Sequence, residues 1–513
     1  MCAPLNLKFC LIGICLLGFV STTFTQVQQI SFSNETDLLR SNNFSGVCMA
    51  ISDMDGDGKD DIVRYNIGRS LNIEFQRGAN QAFENQNVGP ISVFPEWATA
   101  IADVDKNGYN DILVGGRYDN LKLIYNNDGT SMTSTNVPNS NIFVQGTNFV
   151  DIDNDGWVDI FSCDDDAESR KYLNDGSGSF TFDPRLIDTR TVPTSDNSGN
   201  YASAWVDYDN DDDLDLYISK CRLTANSATD PRRVNQLFRN NGNGSYTNVA
   251  TQAGMAIGAQ TWLTEFADVD NDGDLDAFVA NHFDASQLMI NDGNGRFTDV
   301  SAGSGLYPTL SNDNVFIVQA VFEDFNNDGY VDLMVSGTNH FLFYNNGDGT
   351  FSRTNPFGSQ QIESFAIGDL NSDGFTDVYA GYANLFTDPS DNPDILFMNE
   401  GNNNNYLSVR LEGRVSNING IGAKITVFGS SFGEQMREVR AGQGYGVQNT
   451  FTKTFGLGNL TRVTRLEVKW PSGILQTITN PQVNQTLLIR EELPCTGNPC
   501  DCLLYTSPSP RDS

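Results

Sequence analysis

The chain has 513 residues, with 65 acidic against 31 basic side chains and a formal net charge of −34. That charge excludes nucleic acid and anionic membrane surfaces as main partners, while 39% hydrophobic residues, 33 Phe among them, exclude a solvated disordered chain. The length exceeds one ordinary core and predicts a large domain followed by a smaller one.

Residues 1–25 read as a secretory signal peptide. Lys8 precedes an apolar run from Phe9 to Val20, and small polar residues follow from Ser21 to Thr25. The 12 apolar residues suit a signal core; a bilayer span needs about 20. No later segment has that character, so the expectation is a secreted, extracellular protein that does not span a membrane. Of nine cysteines, Cys2, Cys10 and Cys15 would leave with the signal, and Cys495, Cys500 and Cys502 crowd the end. This is not a disulfide-dense scaffold. Cys48 reads as a core residue, and the placement of Cys163 and Cys221 in neighbouring repeats allows a disulfide between them. Five sequons, at Asn34, Asn43, Asn243, Asn459 and Asn484, permit glycosylation in a eukaryotic host.

The repeat comes next. Seven acidic loops begin at Asp53, Asp103, Asp151, Asp207, Asp268, Asp324 and Asp369, at spacings of 50, 48, 56, 61, 56 and 45 residues. The fifth reads DVDNDGDLD, with acidic oxygens at alternate positions around a glycine turn. That pattern makes a nest for a hard cation, and calcium, which takes about six to eight oxygens from a flexible loop, fits it best. The alternative is an aspartate-rich turn held by side-chain-to-backbone hydrogen bonds without metal. Seven copies with several carboxylates each argue for a neutralising cation, in a structural role.

Strand-like runs flank every loop, such as Ala100 to Ala102 before and Asp111 to Val114 after. Further on, β-prone runs bracket an Asn-Gly or Asp-Gly turn, as from Leu237, Leu288 and Phe343. Each repeat is therefore four antiparallel strands, and a period of about 50 residues predicts an all-β fold, a seven-bladed β-propeller with calcium loops. A calcium-binding parallel β-helix has far shorter repeats. An EF-hand needs a glutamate at position 12. Here that position holds Arg64, Val114, Ser162, Ile218, Val279, Val335 and Ala380, and an aspartate closes each loop at position 9 instead.

These loops resemble the FG-GAP/VCBS repeats of integrin-like propellers over residues 26–405. The resemblance implies side-chain ligands at positions 1, 3, 5 and 9 and a backbone carbonyl at position 7, such as that of Asp274, for up to seven calcium ions. Carried over, the side-chain ligands are Asp53, Asp55, Asp57 and Asp61; Asp103, Asp105, Asn107 and Asp111; Asp151, Asp153, Asp155 and Asp159; and Asp207, Asp209, Asp211 and Asp215. The remaining loops supply Asp268, Asp270, Asp272 and Asp276; Asp324, Asn326, Asp328 and Asp332; and Asp369, Asn371, Asp373 and Asp377. The fourth loop departs from the pattern, with Asp212 in place of glycine.

In a meander the acidic loops and the Asn-Gly turns share one face. The longer insertions, Cys221 to Gln236, Tyr382 to Asp394 and the link from Asp183 to Asn200, fall on the other, where loops on a rigid scaffold suit an extracellular protein or glycan partner. Arg222, Arg232 and Arg233 stand there as a basic cluster, either receiving an acidic ligand or pairing with nearby aspartates.

Residues 406–490 carry alternating strands and predict a small β-rich domain. The stretches Asn419 to Gly429, Arg437 to Asn459 and Val463 to Gly473 resemble the ASPIC/UnbV domain. A propeller followed by this domain is similar to the cartilage acidic protein family of secreted calcium-binding proteins, which implies interaction or adhesion rather than catalysis. Residues 491–513 read as a Cys/Ser/Pro tail. Against that stands a secreted carbohydrate-active or other hydrolytic enzyme using the propeller face opposite the calcium loops. Gly429 to Gly433 fits the G-x-S-x-G pattern, but in a β-domain turn with only His282 and His340 as candidate bases. No catalytic residue is assigned.

Overall fold

The computed structural model describes residues 29–493 apart from 80, 192–195, 283, 312–315, 386–387 and 431. The expected signal peptide, the tail beyond residue 493 and Ser431 of the G-x-S-x-G pattern lie outside the described residues.

Among the described residues the repeat region forms seven successive sheets, each built in strand-to-strand order. The second is representative, with antiparallel strands Glu96–Ala102, Asp111–Gly116, Lys122–Asn126 and Met132–Asn136. The first strands of neighbouring sheets pack against one another, and Ser364–Gly368 of the last meets Met49–Ser52 of the first, which closes the ring. This is the propeller architecture, with each sheet a blade.

Burial follows position in the blade. The first two strands of a blade, as in Thr261–Ala267 and Asp276–Asn281, are buried throughout. They are sandwiched between neighbouring blades on both faces, which explains their near-continuous apolar character. The fourth strand is largely exposed, as in Met132–Asn136. Five first strands, in blades two to six, carry a register shift near their start, at Glu96/Ala98, Val144/Thr147, Asn200/Ser203, Thr261/Leu263 and Ile317/Gln319. Such bulges bend a strand and re-aim its groups, here at the central axis.

Blade seven departs from the expected four consecutive strands. Its outermost strand is Phe32–Asn34, from the other end of the described chain, paired antiparallel with Ile395–Asn399. The edge of Ile395–Asn399 is thereby covered rather than left open, and the next segment, Asn405–Glu412, is free to begin the C-terminal unit.

That unit has two sheets around one core. Lys453–Gly458, Asn405–Glu412 and Thr486–Arg490 form one, and Gly433–Glu438, Lys424–Gly429, Arg465–Lys469 and Leu475–Thr479 the other. Leu407, Val409, Ile425, Val427, Phe455, Leu466, Val468 and Trp470 are buried between them. Gly429 and Gly433, which bound the G-x-S-x-G pattern, pair across a hairpin, and the segment that follows, Gly433–Glu438, is a strand.

One segment of this unit leaves it and fills the propeller axis. Val447–Gln448 adds to blade one as a parallel strand against Met49–Ala50. The Gln448 side-chain oxygen, Oε1, accepts from the backbone N–H of Ile101 in blade two at 3.4 Å, and the Asn148 side chain of blade three donates to the Gly442 carbonyl at 2.6 Å. The Tyr445 ring lies 6.3 Å from Tyr201 of blade four and 4.8 Å from Trp262 of blade five, and its backbone N–H donates to Gln319 of blade six at 3.2 Å. Asn449 accepts from the backbone N–H of Ile367 in blade seven at 3.0 Å. A single short segment thus touches all seven blades. Two glycines make it thin enough to fit: a Cβ on Gly442 would lie 2.2 Å from the Thr147 carbonyl, and one on Gly446 would lie 1.8 Å from that of Trp97. Both have positive φ, +78° and +72°, so glycine is required twice over.

Candidate metal centres

All seven acidic loops share one backbone. The residues at positions 4 and 6 have positive φ, for example Asn271 at 62° and Gly273 at 87°. Asp212 takes the glycine conformation at 73°, and its N–H donates to Asp207 at 2.8 Å as the glycines do elsewhere. The position-1 aspartate organises the turn by accepting from backbone N–H groups of the loop: Asp151 does so from positions 5 and 6, Asp155 at 3.0 Å and Gly156 at 2.9 Å, and Asp53 from positions 4 and 6, Gly56 and Gly58, both at 2.8 Å. The metal-free account of these turns is therefore right about part of the bonding.

The closing aspartate at position 9 does a second job. Asp276 accepts from the N–H of Val269 in its own loop at 3.1 Å and of Asn291, at the end of the third strand, at 2.9 Å. The same pair of bonds recurs at Asp61, Asp111, Asp159, Asp215, Asp332 and Asp377. Asn291 in turn donates to the carbonyls of Tyr208 in blade four at 2.9 Å and Leu275 in its own blade at 3.1 Å. Asn126, Asn174, Asn345 and Asn399 likewise reach back to the preceding blade. Sequence reasoning used the Asn-Gly turn as a hairpin signal and missed this tie between blades. The signal was present, as an asparagine at the same strand end in six repeats.

In five loops the geometry also gathers carboxylates. Ligand oxygens of Asp53, Asp55 and Asp57; of Asp103, Asp105 and Asp111; of Asp151, Asp153 and Asp159; of Asp207, Asp209, Asp211 and Asp215; and of Asp268, Asp270 and Asp272 lie within 4.8 Å of one another. Asp61, Asp155 and Asp276 stand outside these groups, and Asn107 uses its amide to bond the Asn126 carbonyl at 3.0 Å. In the sixth and seventh loops, Asn326 donates to Asp328 at 3.0 Å and Asn371 to Asp373 at 2.9 Å. These amide–carboxylate bonds occupy the place where the other loops bring like charges together, and Asp324, Asp332, Asp369 and Asp377 form no such group.

The charge is held under strain. Burial first, and neighbouring carboxylates after it, push Asp111, Asp159 and Asp276 up to about 8 and Asp215 up to about 9. One oxygen of Asp209 is buried without a hydrogen-bond partner. A hard divalent cation would supply the missing partner and offset the repulsion, so the residues present fit calcium.

The whole ring of loops lies under the C-terminal unit. Arg410 pairs with Asp53 at 2.7 Å, Asn419 accepts from the Asp103 N–H at 2.9 Å, and the Val415 carbonyl sits against Gly156. Lys424 pairs with Asp207 at 2.5 Å, the Met436 N–H reaches Asp268 at 3.3 Å, and the Gly458 N–H donates to the Asn327 carbonyl at 2.8 Å. The Tyr406 ring lies against Gly374 of the seventh loop. Sequence reasoning placed these loops on the face opposite the partner and did not foresee the contact that the C-terminal unit makes with them.

Other candidates resolve differently. Cys163 and Cys221 are free and buried, so the disulfide is not formed: Cys163 Sγ faces Ser203 at 3.5 Å and Cys221 Sγ faces His282 at 3.7 Å. Arg222 pairs with Asp165 and Asp166, Arg232 with Asp230 and Asp196, and Arg233 with Asp284, which favours the pairing account over an acidic ligand. The two histidines are not solvated loop residues: His282 packs on Phe316 and is pushed down to about 3 by burial, and His340 bonds the backbone at Gly358 and Ile362. Among the described residues no helix is long and apolar enough to cross a membrane.

Two family models match this chain. The FG-GAP-like repeat matches residues 103–162, 151–218, 224–279, 268–335 and 324–380, together more than half of the chain, and ASPIC and UnbV matches residues 413–493. Cartilage acidic protein 1 of Homo sapiens is 25% identical over 272 residues, covering 50% of this chain and 40% of its own length. That of Xenopus tropicalis is 23% identical over 273 residues, covering 49% of this chain and 40% of its own. The chain thus spans well under half the length of these curated relatives. Among solved structures, an Agrocybe aegerita lectin described as recognising non-reducing terminal N-acetylglucosamine is similar at a TM-score of 0.45 and 18% identity, over 66% of this chain and 86% of that one. YCF48 bound to D1 peptide is similar at a TM-score of 0.44 and 8% identity, over 72% and 96%.

Proposed function

Because the chain belongs to the FG-GAP-like repeat family, with an ASPIC and UnbV domain behind its propeller, we propose that it is a secreted, calcium-stabilised interaction module. The observation that carries this reading is the gathering of three or four ligand oxygens within 4.8 Å in each of five loops. Calcium occupies loops one to five and is structural; it neutralises loops that the C-terminal unit contacts at the propeller face and so helps hold the two together. The partner, an extracellular protein or glycan, meets the opposite face. Both histidines are packed among neighbours in the fold, which favours binding over proton-transfer catalysis. Metal content after dialysis against calcium is expected to approach five ions per chain. Each site filled to 100 times its Kd adds about 2.7 kcal/mol of stability. An unfolding midpoint unmoved by a chelator would overturn the structural role of the metal.

A further inference from the structure

The face opposite the acidic loops holds a recess of 280 Å³ between blades six and seven. That is close to the lower end of small-molecule sites, about 300 to 1,000 Å³. Three separate connections build it. Thr338 follows the second strand of blade six, Gln361 and Glu363 lie in the link to blade seven, and Asn384 and Asn392 come from the blade-seven insertion. Phe316 supplies a half-buried aromatic wall, braced on its other contacts by Trp262 and His282.

The lining chemistry narrows the ligand. Among the described residues no lysine, arginine or histidine lines the recess, so these supply none of the cationic forks that recognise phosphate, sulfate or carboxylate groups. Its apolar surface is too small for a lipid chain. What it offers is amides and hydroxyls that both donate and accept, around one buried carboxylate. Glu363 is 6% exposed and accepts from Gln361 at 3.2 Å, while Thr338, Gln361, Asn384 and Asn392 are exposed at the rim. Groups that donate and accept at once match ligand hydroxyls, and an aromatic wall matches the C–H face of a sugar ring. Glycoside cleavage uses two carboxylates flanking the bond; among the described lining residues there is one, Glu363, an arrangement suited to holding a sugar.

We propose that this recess binds a neutral glycan, a reading that rests on the proposal that the partner meets this face. Asn384 and Asn392 hydrogen-bond the sugar hydroxyls, Glu363 accepts from one of them at the floor, and Phe316 packs on the ring.

The test is an array of immobilised neutral, sialylated and sulfated oligosaccharides, probed with the full chain in calcium. Neutral oligosaccharides are expected to bind. Asn384→Ala combined with Asn392→Ala should lose at least tenfold in signal while the unfolding midpoint stays in place, and Gln361→Ala, also at the exposed rim, should weaken binding if the double variant folds poorly. Arg410→Ala, on the other face, should bind as the parent does. Preference for sulfated or sialylated glycans, or neutral binding untouched by the rim variants, would overturn the proposal. A chain that binds no glycan but captures a protein, with capture lost in the rim variants, would overturn the glycan assignment and leave the interaction-module reading standing.

Discussion

The two faces of the ring solve opposite problems. On one, seven near-identical loops concentrate negative charge, and a second domain covers them all, reaching through the axis to every blade. On the other, the connections differ in length and composition, the arginines are each matched with local aspartates, and a polar recess stays open. Repetition marks the face that works within the molecule, where one geometry is needed seven times. Irregularity marks the face left for something else. Regular motifs are thus a guide to assembly, and a poor guide to where a ligand goes.

The largest effect that separates the faces should come from pH in the absence of metal. Four closing aspartates, Asp111, Asp159, Asp215 and Asp276, have folded-state values raised to about 8 or 9, above their unfolded value near 4. Groups raised in this way contribute stability that is present below the unfolded value and lost as pH rises through the folded one. In chelator, stability should fall between pH 5 and 9 by on the order of 5 kcal/mol for each of these aspartates that titrates in the folded state, and saturating calcium should flatten the profile. Thermal melts across that range test it, and a chelated protein that gains stability toward pH 9 would break the account of the acidic face.

Next in size is the axis. Gly446→Ala drives a Cβ against the Trp97 carbonyl and should cost about 3 kcal/mol or more, read as a lower unfolding midpoint and as faster proteolysis between propeller and C-terminal unit. Asn291→Ala strips partners from the Tyr208 and Leu275 carbonyls and should cost about 1 to 3 kcal/mol, measurable by denaturant unfolding. The smallest effect makes the sharpest comparison. Arg410→Ala and Arg232→Ala each remove a partly exposed ion pair worth less than about 1 kcal/mol, yet only the first, beside Asp53, should change the calcium dependence of the midpoint. Equal calcium dependence in both would mean the two faces are electrostatically alike.

Much of the architecture was legible because it rests on local chemistry. Aspartates at alternate positions, a left-handed residue at the loop bend and β-prone runs on either side are written within nine or ten residues. The C-terminal strands were legible for the same reason. What the sequence hid is what depends on distant pairings. Nothing near Phe32 announces a partner at Asn399. The glycines at 442 and 446 read as turn residues until the carbonyls of Thr147 and Trp97 are seen beside them. Asparagine at position 3 of the sixth and seventh loops reads as a conservative ligand change, but its amide donates to the carboxylate two residues on and removes the like-charge group. Cys163 and Cys221 look equivalent by position, whereas each has its own neighbour in the core.

The axial segment has a consequence for how the molecule is made. Val447 pairs with Met49, so the chain synthesised late in translation occupies the centre of what was synthesised first. At about 5 to 20 residues per second, the ring passes through a period on the ribosome with its inner strands lining an open bore. Those strands are buried in the finished protein and wet until the segment arrives. A chain ending before residue 440 would lack the groups that meet Met49, Ile101, Asn148, Gln319 and Ile367 at the axis.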